Sequence, residues 1–194
     1  MVSLIFWGGI AYLVGSCTCA TLICRWFNLQ DPTKEGSKNP GTTNVLRLGG
    51  SVPAIITLLG DSFKGALPVL LASWFGGVLG AKLGIVAFMA VVGHVFPLFN
   101  NFKGGKGVAT AMGAITALSP MVGILVVASW LITALVSRYS SLSAMVSMIV
   151  ALVLMLLVNG SYFLATLAIV TLVIYRHREN IKRLLAGAES KIEL

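Results

Sequence analysis

Uncharged apolar runs, each about as long as a membrane-crossing helix, alternate along this chain with short polar segments. Residues 4–24 carry no charge over 21 positions, enough to span a bilayer. Residues 25–51 follow, rich in Gly, Pro, Thr, Asn and charge, and read as a loop by their turn chemistry. Residues 52–74 form a second span, interrupted by Asp61, Lys64 and Gly65. A short turn over 76–81 leads to a third span, 82–99, with His94 and Pro97 at its far end. Residues 142–158 and 161–175 are further spans separated by the Asn159-Gly160 turn, and a basic tail begins at Arg176.

Residues 108–137 are 30 apolar positions with Ser119-Pro120 inside them. Proline removes a helix hydrogen bond and biases the preceding residue away from helix. The stretch is either one kinked helix or a half-length helix, 108–118, followed by a full span, 120–137. The basic residues choose between them. With the 25–51 and 100–107 loops in the cytoplasm, the split also places Arg138 and the tail there. Twelve basic residues then lie inside: Arg25, Lys34, Lys38, Arg47, Lys103, Lys106, Arg138, Arg176, Arg178, Lys182, Arg183 and Lys191. Only Lys82 lies outside, and Lys64 is within a span. The positive-inside rule therefore favours an all-α integral membrane protein with seven membrane helices, one of them half-length, the N-terminus outside and the C-terminus cytoplasmic. Eleven residues of helix rise only about 16 Å, so 108–118 cannot cross alone, and its N-terminal glycines should lie in a protein-lined cavity.

Composition supports a membrane protein and narrows its partners. The chain is 57% hydrophobic and 10% charged, with mean hydropathy +0.94; soluble domains run nearer roughly 25% charged. Residues 1–194 read as a single membrane-embedded domain. The net charge of +8 would suggest nucleic acid in a soluble protein, but here it is the cytoplasmic basic excess, and no nucleic-acid partner is expected. Cys17, Cys19 and Cys24 share one apolar segment at spacings that do not bridge on a helix, and read as buried thiols. Residues 14–17 resemble a lipoprotein cleavage site, but no basic region precedes them, so the first segment is taken as retained. No internal repeat is visible, which weighs against a transporter.

Three polar clusters fall on one expected side. The first, Gly36-Ser37-Lys38-Asn39-Pro40-Gly41-Thr42-Thr43-Asn44-Val45-Leu46-Arg47, offers hydroxyls, amides and an arginine, groups suited to phosphate and polyols; Asn-Pro-Gly is equally ordinary turn chemistry. The second, residues 93–110, places Gly104, Gly105 and Gly107 around Lys106, with Lys103 nearby. Glycine lets backbone N–H groups approach a ligand, and the following helix presents its positive end, which suits an anion. The spacing is not that of a Walker loop, and a glycine-rich re-entrant packing turn is the alternative reading. The third cluster, His177-Arg178-Glu179-Asn180-Ile181-Lys182-Arg183, puts His177 and Asn180 on one helical face; a basic membrane-exit helix would look the same. Asp61 and Lys64, three apart inside a span, pair or line a polar cavity. His94 reads as a hydrogen-bonding anchor or a base. No Cys/His spacing suits a metal.

The three clusters together, in order and over nearly the whole chain, resemble the bacterial membrane acyl-phosphate:glycerol-3-phosphate acyltransferase family; the third continues through Arg183-Leu184, Gly187 and Glu189. The resemblance implies transfer of an acyl group from acyl phosphate to the 1-hydroxyl of glycerol 3-phosphate. The products would be lysophosphatidic acid and phosphate, the first acylation of bacterial phospholipid synthesis. It implies the bacterial inner membrane with the active site on the cytoplasmic side. It implies no cofactor, bilayer lipid as surroundings and a soluble enzyme making acyl phosphate as a partner. Ser37, Arg47, Lys106, His177 and Asn180 become phosphate-binding or positioning groups, with His177, Asn180 and Lys106 nearest the chemistry. Asn39, Thr43, Asn44, His94, Lys103, Gly104, Gly105 and Gly107 join Ser37 and Arg47 as expected substrate contacts. The His-x₄-Asp motif of other glycerol-phosphate acyltransferases is absent, since Phe99 stands five positions after His94. The base is left open between a histidine and a substrate phosphate oxygen. An anion or organophosphate transporter is the alternative; it would need polar groups on both sides of the midplane, whereas these crowd one side.

Overall fold

In the computed structural model, which describes residues 2–192, the apolar runs fold as helices and the polar or proline-bearing junctions fall between them. Residue 1 and residues 193–194 lie outside the described residues, so the expected sides of the two chain ends do too. Ten α-helices occur among the described residues: α1 (Val2–Gly15), α2 (Cys19–Trp26), α3 (Thr42–Gly49), α4 (Ser51–Trp74), α5 (Ala81–Val95), α6 (Val108–Leu118), α7 (Pro120–Ser137), α8 (Ser140–Val158), α9 (Phe163–Arg176) and α10 (Arg178–Leu185). Five helical stretches are long and apolar enough to cross a membrane, and counting the bent pair α9–α10 with its leading turn gives up to six. Large side chains such as Ile124, Leu131, Leu135, Leu157 and Leu164 project outward. So much exposed apolar surface suits lipid rather than water.

Local chemistry sets the breaks. Ser119 is extended, and Pro120 takes the first position of α7, where its missing N–H costs nothing. The preceding helix α6 is therefore only 11 residues long. Gly107 opens α6 at φ +85°, a conformation that disfavours a β-carbon.

Two elements differ from the sequence expectation. The first run, expected as one span over 4–24, breaks between Gly15 and Cys19. The break frees the Cys17 carbonyl, which accepts the Lys64 ammonium at 2.6 Å. The 25–51 segment, expected as a loop, contains α3. Its Val45 is fully buried and packs with Ala20, Cys24 and Ala54, so burial of one apolar side supports helix despite the turn-forming residues around it.

Backbones approach closely where glycine allows it. A β-carbon on Gly65 would strike the Thr110 backbone, and one on Gly113 would strike that of Ser62. The two glycines bring α4 and α6 together, as small residues do between membrane helices. Val86, Val91, Ile115, Val122, Met148, Ile169 and Val173 fill the core between α5, α6, α7, α8 and α9. This packing gathers the end of α5, the start of α6 and the end of α9 around one polar region.

Candidate active site

Lys106 lies in the turn between α5 and α6, and its ammonium donates to Asn180 Oδ1 at 2.5 Å. Asn180 is buried on α10 and donates through Nδ2 to Glu189 Oε1 at 2.6 Å. Glu189 also accepts from Ser141 Oγ at 2.7 Å and, through Oε2, from Arg183 Nε at 2.7 Å. One carboxylate thus ties the 186–192 segment to α8, α10 and, through Asn180, the glycine turn. Burial alone would raise the Glu189 carboxyl, but the hydrogen bonds from Ser141, Asn180 and Arg183 outweigh it and hold the group below its ordinary range.

Burial brings the Lys106 ammonium down to about 8; Glu189 opposes that shift, and the Arg183, Arg176 and Arg47 charges reinforce it. An anion entering this cluster would relieve the repulsion among four cations. His177 closes α9 with Nδ1 donating to the Val173 carbonyl at 2.7 Å. That bond leaves Nε2 as an acceptor. Burial lowers His177 to about 4, with the Val173 bond opposing and the Lys106 charge assisting. The imidazole is therefore neutral at pH 7.

The glycine turn is held on several sides. The Gly104 carbonyl accepts from Arg176 Nη2 at 3.1 Å. The Gly105 N–H donates to the His94 carbonyl at 3.3 Å. Expected as a ligand contact, the Gly105 amide instead has a protein partner. A β-carbon on Gly104 would meet the His94 and Val95 carbonyls and Pro97, and one on Gly105 would meet His94 Nε2 and the Pro40 carbonyl. These two glycines give clearance for packing. Gly107 supplies the positive φ and the N-terminus of α6.

The other expected contacts divide. Arg47 is exposed on α3, and its Nη2 donates to Ser190 Oγ at 2.6 Å. Thr43 Oγ1 lies 2.9 Å from Ser140 Oγ, linking α3 to α8. Ser37 is exposed, and its N–H donates to Asn44 Oδ1 at 2.8 Å. Asn44 donates to the Pro32 and Glu35 carbonyls, both at 3.0 Å. Expected as a substrate contact, Asn44 is buried and spends its side chain on folding the 32–37 turn. Asn39 is half-buried. Lys103 is exposed, and its backbone closes a small turn with Asn100.

His94 sits below the turn rather than in the cation cluster. Its Nδ1 is 3.0 Å from Thr110 Oγ1 and 3.6 Å from Asp61 Oδ1. Asp61 Oδ1 is 2.8 Å from Lys64 Nζ, an ion contact whose direction leaves Oδ1 without an aligned hydrogen bond.

The sequence reading missed Arg176 as a site group, and with it Ser141, Ser190 and the central place of Glu189. Arg176 adjoins the third cluster and could have been included on charge. The serines carry no local signal, because they reach the site only through chain folding, over separations of 48 residues for Ser141–Glu189 and 143 for Arg47–Ser190.

Residues 5–187 match the family model described as glycerol-3-phosphate acyltransferase. A glycerol-3-phosphate acyltransferase of Halorhodospira halophila is 50% identical over 188 residues, covering 94% of this chain and 93% of that protein. One of Shewanella oneidensis is 46% identical over 182 residues, covering 94% and 89%. Two crystal structures of PlsY (YgiH), an integral membrane glycerol 3-phosphate acyltransferase, superpose on this fold. The glycerol 3-phosphate form gives TM-score 0.93 at 37% identity, covering 98% of this chain and 96% of that one. The lysophosphatidic acid form gives 0.91 at 36% identity with the same coverage.

Proposed function

The chain belongs to the glycerol-3-phosphate acyltransferase family, and from that premise we propose that it moves an acyl group from acyl phosphate to the 1-hydroxyl of glycerol 3-phosphate. The products are lysophosphatidic acid and inorganic phosphate. The observation that carries this reading is the convergence of Arg47, Lys106, Arg176 and Arg183 with a glycine turn and a neutral histidine at one end of a lipid-facing bundle. Both substrates carry phosphate, and the acyl chain can stay in the bilayer while its head meets the cations.

Acyl phosphate is a mixed anhydride whose leaving group departs already anionic, so no strong general acid is needed. The glycerol oxygen forms the new bond to the acyl carbon, and the bond from that carbon to the phosphate oxygen breaks. The protein aligns the hydroxyl and stabilises charge on the carbonyl oxygen. Arg47 clamps a phosphate through two parallel hydrogen bonds once Ser190 yields its place. Lys106 and the amides of Gly104 and Gly107 hold the acyl phosphate, with Asn180 positioning Lys106. The hydroxyl proton goes to His177 Nε2 or to a substrate phosphate oxygen, and attack is direct, without an acyl-enzyme. No resident cofactor enters the scheme.

The proposed topology has seven membrane helices with α6 as the half-length member, α1 and α2 together making the first crossing. The N-terminus is outside and the C-terminus cytoplasmic. The site then faces the cytoplasm at a bacterial inner membrane, where a soluble enzyme can supply acyl phosphate. The basic-residue distribution supports it. A transporter of phosphate esters would need a polar path to the far end, where, among the described residues, Lys82 is the one charged side chain lining the cavity. The donor is tested by offering the purified protein acyl phosphate and the matching acyl thioester side by side with glycerol 3-phosphate. Lysophosphatidic acid is expected from acyl phosphate; formation from the thioester alone contradicts the donor assignment.

A further inference from the structure

Three ionisable side chains lie sealed inside the bundle, where charge is expensive and normally has a function or a partner. Asp61 and Lys64 on α4 and His94 on α5 are 2%, 5% and 6% exposed. Asp61 stands between the other two, 2.8 Å from the Lys64 ammonium and 3.6 Å from His94 Nδ1. Lys64 also donates to the carbonyl freed at Cys17.

This cluster touches the glycine turn. The His94 carbonyl takes the Gly105 N–H, and its Nε2 lies so near Gly105 that a β-carbon there would overlap it. Thr110 Oγ1, in the first turn of α6, contacts Nδ1 of the same ring. One histidine therefore meets the turn at Gly105 and again just past its end.

We propose that Asp61, Lys64 and His94 form a positioning unit that fixes the height and tilt of residues 104–107 relative to the reacting phosphate; the role rests on the acyl-transfer reading above. The Asp61 carboxylate favours a proton on Nδ1, the nitrogen it faces, so Nε2 keeps its lone pair toward the turn. Lys64 neutralises the carboxylate and ties it to the break between α1 and α2. Losing this support lets the turn move. A displacement of about 1 Å can cost roughly a hundredfold in rate, while the Arg47 and Lys106 cations still bind substrate. The unit therefore governs kcat more than KM.

A purely structural ion pair is the competing account, and charge removal in pairs separates the two. Asp61→Asn alone strands an ammonium and loses stability and rate together. Asp61→Asn combined with Lys64→Met removes both charges at similar volume, and the melting temperature should return toward wild type. The positioning role keeps kcat roughly tenfold or more below wild type, with KM for glycerol 3-phosphate nearly unchanged, and adding His94→Gln costs little more. Wild-type kcat in the paired variant overturns the proposal, as does a raised KM at constant kcat. If the paired variant does not fold, Thr110→Val is read instead: lowered kcat at constant KM supports the unit, and wild-type kcat contradicts it. Amide exchange over residues 104–110 gives a readout that needs no turnover. It should quicken in these variants, and unchanged protection overturns the unit. Wild-type protein that transfers no acyl group would sink the functional reading alone, leaving the exchange result to decide this one.

Discussion

The turns at the two ends of α5 are both rich in glycine, yet the glycines serve different needs. Between α4 and α5, Gly77 and Gly80 have φ of +59° and +56° and open space where a side chain would go. They are there for backbone conformation, beside a cavity of about 440 Å³ with a single lysine. Between α5 and α6, Gly104 and Gly105 are there for clearance, pressed against His94, Pro97 and Pro40. Cations from α3, α9 and α10 surround the second turn and not the first. Glycine content by itself therefore identifies neither turn as a ligand site; the converging charge does.

The largest expected effect comes from filling each turn. Gly105→Leu should abolish acyl transfer, because the side chain displaces His94 and the turn with it. Gly77→Ala should cost about 1 kcal/mol of stability through its positive φ and leave turnover intact. Phosphate release and melting temperature measured on both variants check this. Full activity in Gly105→Leu would erase the contrast between the turns. Gly76 is unsuitable as a mild control, since a β-carbon there would strike Trp7 Nε1 and the Ala72 carbonyl.

Charge removal should give the next effect. A charge-assisted hydrogen bond contributes about 1.5–3 kcal/mol, so Lys106→Met should lower kcat/KM by roughly tenfold to a hundredfold. Lys82→Met at the other turn should change nothing measurable. Steady-state kinetics on the two variants would reverse the assignment if Lys82 proved the sensitive one.

The pH profile sharpens the same point at smaller amplitude. Lys106, lowered to about 8, is charged below that value and loses its charge as pH rises through it. kcat/KM should therefore fall by roughly tenfold per unit above about pH 8, since it reports the free enzyme. Lys106→Arg should remove this limb, because arginine stays charged. His177, at about 4, should give no acid limb near 6.5. A Lys106→Arg profile identical to wild type would assign the basic limb elsewhere.

The smallest effect concerns the Glu189 brace. Its folded carboxyl lies below the ordinary 4.5. The unfolded chain thus binds the proton first, and the stabilisation is full above 4.5 and lost as pH falls through the folded value. Glu189→Gln should flatten the fall in melting temperature below pH 5. An unchanged acid dependence would place that sensitivity on another group.

Apolar run length and the Ser119-Pro120 pair marked α6 and α7 in the sequence, because length and proline act locally. The break at Ser16 was not legible: its energetic reason is Lys64, on another helix. Helix α3 was hidden because Thr42, Thr43 and Asn44 favour turns locally, while burial of Val45 comes from the fold. Lys106, Asn180 and Arg47 stand out in the sequence by chemical type, and the fold brings them to one region. Asn44 suits a ligand and a turn equally by residue type, and only the fold supplies its Pro32 and Glu35 carbonyl partners. The link from Asp61 to His94 lies between helices and needed the packing of α4 on α5.

The central claim is that the cation cluster performs acyl transfer between two phosphate compounds. It is tested most directly by incubating purified protein with acyl phosphate and labelled glycerol 3-phosphate while following phosphate and lipid product together. The account predicts equal amounts of phosphate and lysophosphatidic acid, with phosphate release dependent on glycerol 3-phosphate. Phosphate release at the same rate without glycerol 3-phosphate, or labelled substrate recovered unacylated, would contradict it.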